Sequence, residues 1–297
     1  MKIEHPKIIG YTAAITSVML MSPLGVFVRN ISANEYIVTF ARLSIGLVFL
    51  VCFLYWKKAT NHIKLSKYPY PLLVTGILMA MAILCYTNAI NSTTLANAVF
   101  LLYLGPLLAV GISAILLREK FTLLNAGILF LAFLGFLFLL EFNVPSSMQE
   151  STGYLWGVGA AICYALFIVL NRKIPDEIPV LTRTFYQLLF GAMTMLPFLD
   201  VSIFSMTIND IYWLIAIGFF QGFLAISLAI LAIKHLKTIE YGTISYIEPL
   251  MAALIGYALY SENLTLLQLI GCAVVIFGGL LQMIVTKSHN NAHRAHD

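Results

Sequence analysis

Apolar residues in this chain run in blocks of about twenty, roughly the number one helix needs to cross the hydrocarbon of a bilayer. The blocks fall near residues 8–28, 36–55, 71–90, 95–117, 121–140, 152–171, 181–199, 211–233, 239–260 and 264–286, with charges, prolines and other polar residues clustered between them. The pattern predicts an all-α integral membrane protein of ten transmembrane helices. It leaves room for short loops and no soluble domain.

Composition sharpens this reading. Of 297 residues 61% are hydrophobic and 10% charged, with a mean hydropathy of +0.92, whereas soluble chains carry about a quarter charged residues. The net charge of +4 is no nucleic-acid footprint, because the basic residues lie between apolar blocks and not on one soluble face. Lys57, Lys58, Lys64 and Lys67 follow the second block, Arg118 and Lys120 the fourth, Arg172 and Lys173 the sixth, Lys234 and Lys237 the eighth, and Lys287 and Arg294 the tenth. The intervening loops hold Glu35, Glu141, Glu150, Asp200, Asp210 and Glu262, with Arg29 as their one basic residue. Basic loops stay inside, so both termini are expected in the cytoplasm and the chain in the cytoplasmic (inner) membrane. The first apolar run is too long for a signal peptide and lacks a small-residue cleavage site, so it is expected to remain as the first span. Residues 288–297, with His289, His293 and His296, read as a polar, disordered tail.

Several chemistries find no support. Cys52, Cys85, Cys163 and Cys272 stand singly in apolar runs, without CxxC spacing or a nearby His, and read as small buried hydrophobes. No metal or other cofactor is expected. A GxxxxGK[ST] phosphate loop is missing from the sequence, which disfavours an ATP-driven pump. An enzyme would need a clustered acid, base, nucleophile or metal set inside the spans, and the clear intramembrane charges are Glu248 and Arg42.

The two halves of the chain resemble each other. A shift of 143 positions lays Tyr103, Pro106, Glu119, Thr122, Leu123, Leu124 and Gly135 on Tyr246, Pro249, Glu262, Thr265, Leu266, Leu267 and Gly278, and lays Gly10, Tyr11 and Arg29 on Gly153, Tyr154 and Arg172. With a two-residue slip, Phe40, Arg42 and Gly46 fall on Phe185, Gln187 and Gly191. Repeats at 1–143 and 144–287, each with an odd number of helices, must enter the membrane in opposite senses. Inverted repeats are a recurring construction of secondary transporters.

The segments YLGPLLAVGISAILLREKFTLLNAG (Tyr103 to Gly127) and YIEPLMAALIGYALYSENLTLLQLIG (Tyr246 to Gly271) resemble the paired signatures of EamA-type proteins of the drug/metabolite transporter superfamily. The most specific parts are the aromatic-x-x-Pro element and the Glu-x-x-Thr element, and the resemblance covers nearly the whole chain. Many relatives show a Trp in the first helix, where this chain has Met21 and Ser22; the repeat mates are Tyr164 and Ala165. The resemblance implies a ten-helix inverted-repeat bundle around a central cavity, commonly serving export of amino acids or other small metabolites without ATP.

Glu248, followed by Pro249, sits about 10 Å into its predicted helix. An ionisable group there is costly and functional by default. It either binds and loses a proton as access changes, coupling flux to a proton gradient, or lines a cavity without titrating. Pro249 and its mate Pro106 each remove a helical hydrogen bond, near Ser245 and Leu102 respectively. Interrupted helices at matching positions point to a binding site, or else are structural kinks. Arg42 either takes a substrate carboxylate, snorkels to the outer headgroups, or pairs with Glu35 or Glu262; Gln187 is its mate. Asn88, Asn97, Gln221, Tyr86, Tyr103, Tyr164 and Tyr246 are cavity-lining candidates that can equally bond helix to helix. The runs Gly153 to Gly157 and Gly218 to Gly222 allow close helix packing within one bundle, or dimerisation, so a monomer or weak dimer is expected. Tyr55 and Trp56 read as interfacial anchors.

The residues together point to a transporter of a small-molecule solute, surrounded by lipid, with protons as a candidate coupling ion. An uncoupled facilitator or channel is the alternative, and a scaffold or sensor the third class. The topology yields a first prediction. A reporter that is active only in the cytoplasm, fused after residue 297, should be active, and the same reporter inserted at residue 147 should be silent.

Overall fold

The computed structural model describes residues 6–63, 69–92, 95–119, 122–139, 151–200, 206–260 and 265–294. Among the described residues every regular element is helical. The helices are α1 (Pro6–Met21), α2 (Leu24–Arg29), α3 (Glu35–Trp56), α4 (Pro69–Ser92), α5 (Leu95–Leu116), α6 (Leu123–Leu139), α7 (Ser151–Lys173), α8 (Val180–Met195), α9 (Ile208–Ile217), α10 (Ile226–His235), α11 (Thr238–Ser245), α12 (Ile247–Tyr260) and α13 (Leu266–Arg294). Each apolar window of the sequence holds helix. Among the described residues five stretches, Glu35–Trp56, Pro69–Ala89, Ser151–Lys173, Ile208–His235 and Thr238–Leu259, are long and apolar enough to cross a membrane. Large apolar side chains point outward, among them Ile115 at 85% exposure and Leu155 at 76%, as expected where the outer solvent is lipid.

Two breaks and one widened turn shape the bundle. The first apolar run divides at Ser22 and Pro23 into α1 and α2. The eighth is continuous, but between α9 and α10 residues Gly218–Ala225 form a wider π-helical turn. The ninth divides at Tyr246, between α11 and α12, where Pro249 cannot supply the N–H for the carbonyl one turn back. Pro106 departs from the expected interruption, because α5 runs through it unbroken. The reason lies in the packing on both sides. Gly105 is pressed against Tyr164 and the Ala161 carbonyl, and Gly242 of α11 lies against Pro106. The tail also departs from expectation, since α13 continues to Arg294.

Helix ends are closed by side chains. Asn34 caps α3 by accepting the Ile37 N–H at 2.9 Å, and Thr207 with Asp210 forms a capping box on α9. Asp210 also accepts the Ser32 N–H at 2.7 Å, tying the segment before α3 to α9. Arg183, 1% exposed, donates to the carbonyls of Asn171, Ile174, Pro175 and Ile178 and so closes the turn between α7 and α8. At the ends of α5, α7, α10 and α11, Glu119 accepts from Arg172 Nε at 3.2 Å and from the Thr238 N–H at 3.1 Å. Arg172 also donates to the Lys234 carbonyl, and Lys7 pairs with Glu240 at 2.9 Å. Tyr55 and Trp56 are exposed, with Lys57 Nζ 4.7 Å from the Trp56 ring. Of the loop charges, Lys64, Lys67, Lys120, Glu141, Glu150 and Glu262 lie outside the described residues.

The tightest crossing joins α3 to the π-helical turn. A Cβ at Gly222 would strike the Arg42 carbonyl oxygen, and one at Gly46 would come within 2.7 Å of the Gly222 carbonyl carbon. The Gly218 to Gly222 pattern thus serves packing within the bundle. Gly222→Ala should lower stability by about 1–3 kcal/mol, the usual cost of overpacking. Gly111→Ala, where a Cβ meets nothing within 4 Å, should be near neutral; thermal unfolding in detergent compares the two.

Candidate functional site

A cavity of about 260 Å³ opens inside the bundle, on the scale of a small-molecule site. Its wall is built from both halves: α1 to α5 on one side, and α7 with α9 to α12 on the other. Helical spacing explains which residues reach it. Glu35, Val38, Thr39 and Arg42 face it from α3, Met79, Ala82, Ile83 and Tyr86 from α4, and Tyr241, Ser245 and Glu248 from α11 and α12. Each set repeats at three, four or seven residues and so occupies one face.

The polar groups of the wall form two clusters. The Glu248 carboxylate accepts the Tyr103 hydroxyl, and Arg42 and Glu248 are near enough to feel each other's charge. Tyr164 shares hydrogen bonds with the hydroxyls of Tyr241 and Ser245, while Ser245 Oγ donates to the Tyr241 carbonyl at 2.9 Å. Most of the remaining wall is apolar, including Val18, Leu102, Phe167 and Ile226. A charge in such surroundings is strongly felt by whatever enters.

The structure brings together Arg42, Tyr86, Tyr103, Tyr164 and Glu248 from the sequence candidates. The others are placed behind the wall. Tyr246 is fully buried and donates its hydroxyl to the Tyr103 carbonyl at 2.9 Å. The two rings lie 5.9 Å apart within a cluster that includes Phe133 and Phe136. Gln187 donates to Thr75 Oγ1 at 2.9 Å and to Asn171 Oδ1 at 2.7 Å. Gln221 donates to the Met21 carbonyl at 3.0 Å, at the break between α1 and α2. Asn88 accepts from the Tyr36 hydroxyl and donates to the Leu84 carbonyl. The side chain of Asn97 lies outside the described residues.

Sequence reasoning missed Ser17, Thr39, Thr87, Tyr241 and Ser245 on the wall. The signal for two of them was present: Tyr241 and Ser245 precede Glu248 by seven and three residues, on its own helical face. The cysteines also depart from the expectation that each is buried alone. Cys52 is exposed, and the thiols of Cys85 and Cys163 hydrogen-bond to each other between α4 and α7.

Residues 8–141 and 151–284 each match the EamA-like transporter family. The chain belongs to that family. A transporter of Archaeoglobus fulgidus named as uncharacterized is 28% identical over 272 residues, covering 92% of this chain and 95% of that protein. The threonine/homoserine exporter RhtA of Escherichia coli K12 is 26% identical over 260 residues, covering 85% of this chain and 83% of its own. An S-adenosylmethionine uptake transporter of Rickettsia felis is 20% identical over 252 residues, covering 82% and 81%. A solved crystal structure superposes with a TM-score of 0.79 at 20% identity, covering 95% of this chain and 98% of that one, and shares the fold. The EamA-like chain is therefore a multi-pass membrane transporter.

The placement of Gln187 separates support from lining. Gln187→Leu should cost about 1–3 kcal/mol by stranding Thr75 and Asn171, read as a lower thermal midpoint. The half-saturating concentration of a transported solute should be unchanged; a several-fold change would put Gln187 in the site.

Proposed function

We propose that this EamA-like protein is a secondary active transporter, an exporter of small metabolites such as amino acids across the cytoplasmic membrane, working by alternating access with proton coupling. In this reading ten spans form two inverted five-helix repeats, residues 1–143 and 144–287, with both termini in the cytoplasm. The observation that carries it is the cavity itself, which both halves line and where, among the described residues, the Arg42 guanidinium and the carboxylates of Glu35 and Glu248 stand among aromatic hydroxyls.

Contacts between repeat mates support the inverted arrangement. Tyr103 and Tyr246, 143 residues apart, touch each other, as pairs near a two-fold axis do. Gly135 packs on Val274 of α13 while its mate Gly278 packs on Ala132 of α6. The close approach of Gly46 to Gly222 has a counterpart in Gly191 against the Gly76 carbonyl. Exchanging two such halves between their conformations would carry the cavity from one face of the membrane to the other. The names of two relatives, a threonine/homoserine exporter and an S-adenosylmethionine uptake transporter, favour a charged or zwitterionic small metabolite.

The test is flux in reconstituted vesicles with an imposed pH gradient, using L-threonine as the first probe. Glu248→Gln should remove the gradient-driven accumulation while leaving exchange of solute across the membrane. Full retention of the response would falsify Glu248 as the coupling group, and a wild type indifferent to the gradient would make the protein an uncoupled facilitator.

A further inference from the structure

A guanidinium carries five N–H donors and no acceptor. Arg42 is 8% exposed and faces the cavity, yet its donors are poorly used. Nη2 meets the thioether of Met21 at 2.7 Å, a weak acceptor. Nε has no partner. These two nitrogens share one edge of the planar group, the edge that grips a carboxylate with two parallel hydrogen bonds. A buried polar group left so nearly unsatisfied calls for an acceptor that the chain does not supply.

The surroundings say which acceptor. Among the described residues Arg42 is the one cation on the cavity wall, where Glu35 and Glu248 are the acidic groups. The one positive charge of the guanidinium balances one carboxylate, and it leaves the second charge of a dianion such as phosphate unbalanced beside Glu248. The backbone at this point is pinned: the Arg42 carbonyl lies against Gly222, and the Met21 carbonyl is held by Gln221. The methionine side chain, unbranched and flexible, is what can swing away.

We infer that Arg42 is the solute's carboxylate receptor: a carried solute bears a carboxylate that takes the Nε and Nη2 edge of Arg42 in place of the Met21 thioether. This rests on the transporter reading and narrows it from small metabolites to carboxylates whose other charge, where present, is positive.

The experiment is the apparent melting temperature of the purified full chain in detergent, at neutral pH and constant ionic strength. The probes are three matched pairs: L-threonine and L-threoninamide, L-phenylalanine and L-phenylalaninamide, benzoate and benzamide. At least one acid should raise the midpoint, with its amide inert at the same concentration, because a ligand bound only by the folded state stabilises it. Arg42→Gln should abolish that difference, and Arg42→Lys, which keeps charge but loses the fork, should weaken it about tenfold. Equal effects of acid and amide on the wild type overturn the inference, as do a preference retained by Arg42→Gln and the absence of any shift by the three acids. Vesicle flux separates the two levels. Amides carried as fast as acids sink the carboxylate receptor and leave the transporter standing, whereas no flux of any solute sinks the transporter reading itself.

Discussion

The Arg42 carbonyl lies directly against the backbone of Gly222, and the position of the Arg42 guanidinium on the cavity wall follows from that contact. A helix in lipid cannot leave backbone groups unpaired, so neighbouring helices approach through residues that lack a side chain. Gly46, Gly218 and Gly222 provide such an approach between α3 and the wide turn before α10. The turn in turn brings Gln221 to the Met21 carbonyl, at the break where Pro23 parts α1 from α2. One glycine crossing thus sets Arg42, Met21 and the break in a single relation to the cavity.

Polar side chains inside the bundle divide by what is left for them to bind. Gln187, Gln221, Asn88, Tyr246 and Arg183 spend their donors on carbonyls, hydroxyls or amides of neighbouring helices. Their cost of burial is offset within the protein, and they hold the wall in place. Arg42 and Glu248 differ, because burial leaves them with a thioether, a tyrosine hydroxyl and each other's field. Groups held in that way keep hydrogen-bonding capacity that the fold itself leaves unused.

The ion pairs at the ends of α5, α7, α10 and α11 give the Glu-x-x-Thr element a physical task. Glu119 joins Arg172 to the first turn of α11, and Lys7 joins α1 to the same turn through Glu240. Each links the first half of the chain to the second. Motion of one half against the other must stretch these contacts, whereas the aromatic cluster of Tyr103, Phe136 and Tyr246 can roll without losing a charge.

Block length and loop charge by themselves determined that this chain is helical, apolar outside and built twice over, because the solvent imposes span length and the duplication left its residues in register. Glu248 and Arg42 were also legible, since a charge inside an apolar run has few harmless explanations. Pro249 marked the break at Tyr246, while Pro106 marked none, because loss of one hydrogen bond stops a helix only where packing lets it stop. Tertiary structure alone decided that Tyr246 turns away from the cavity, and that Gln187 and Gln221 find partners 112 and 200 residues distant. It alone brought the thiols of Cys85 and Cys163 together. In a span that is apolar on every side, periodicity does not say which face looks inward, and only the neighbour's surface does.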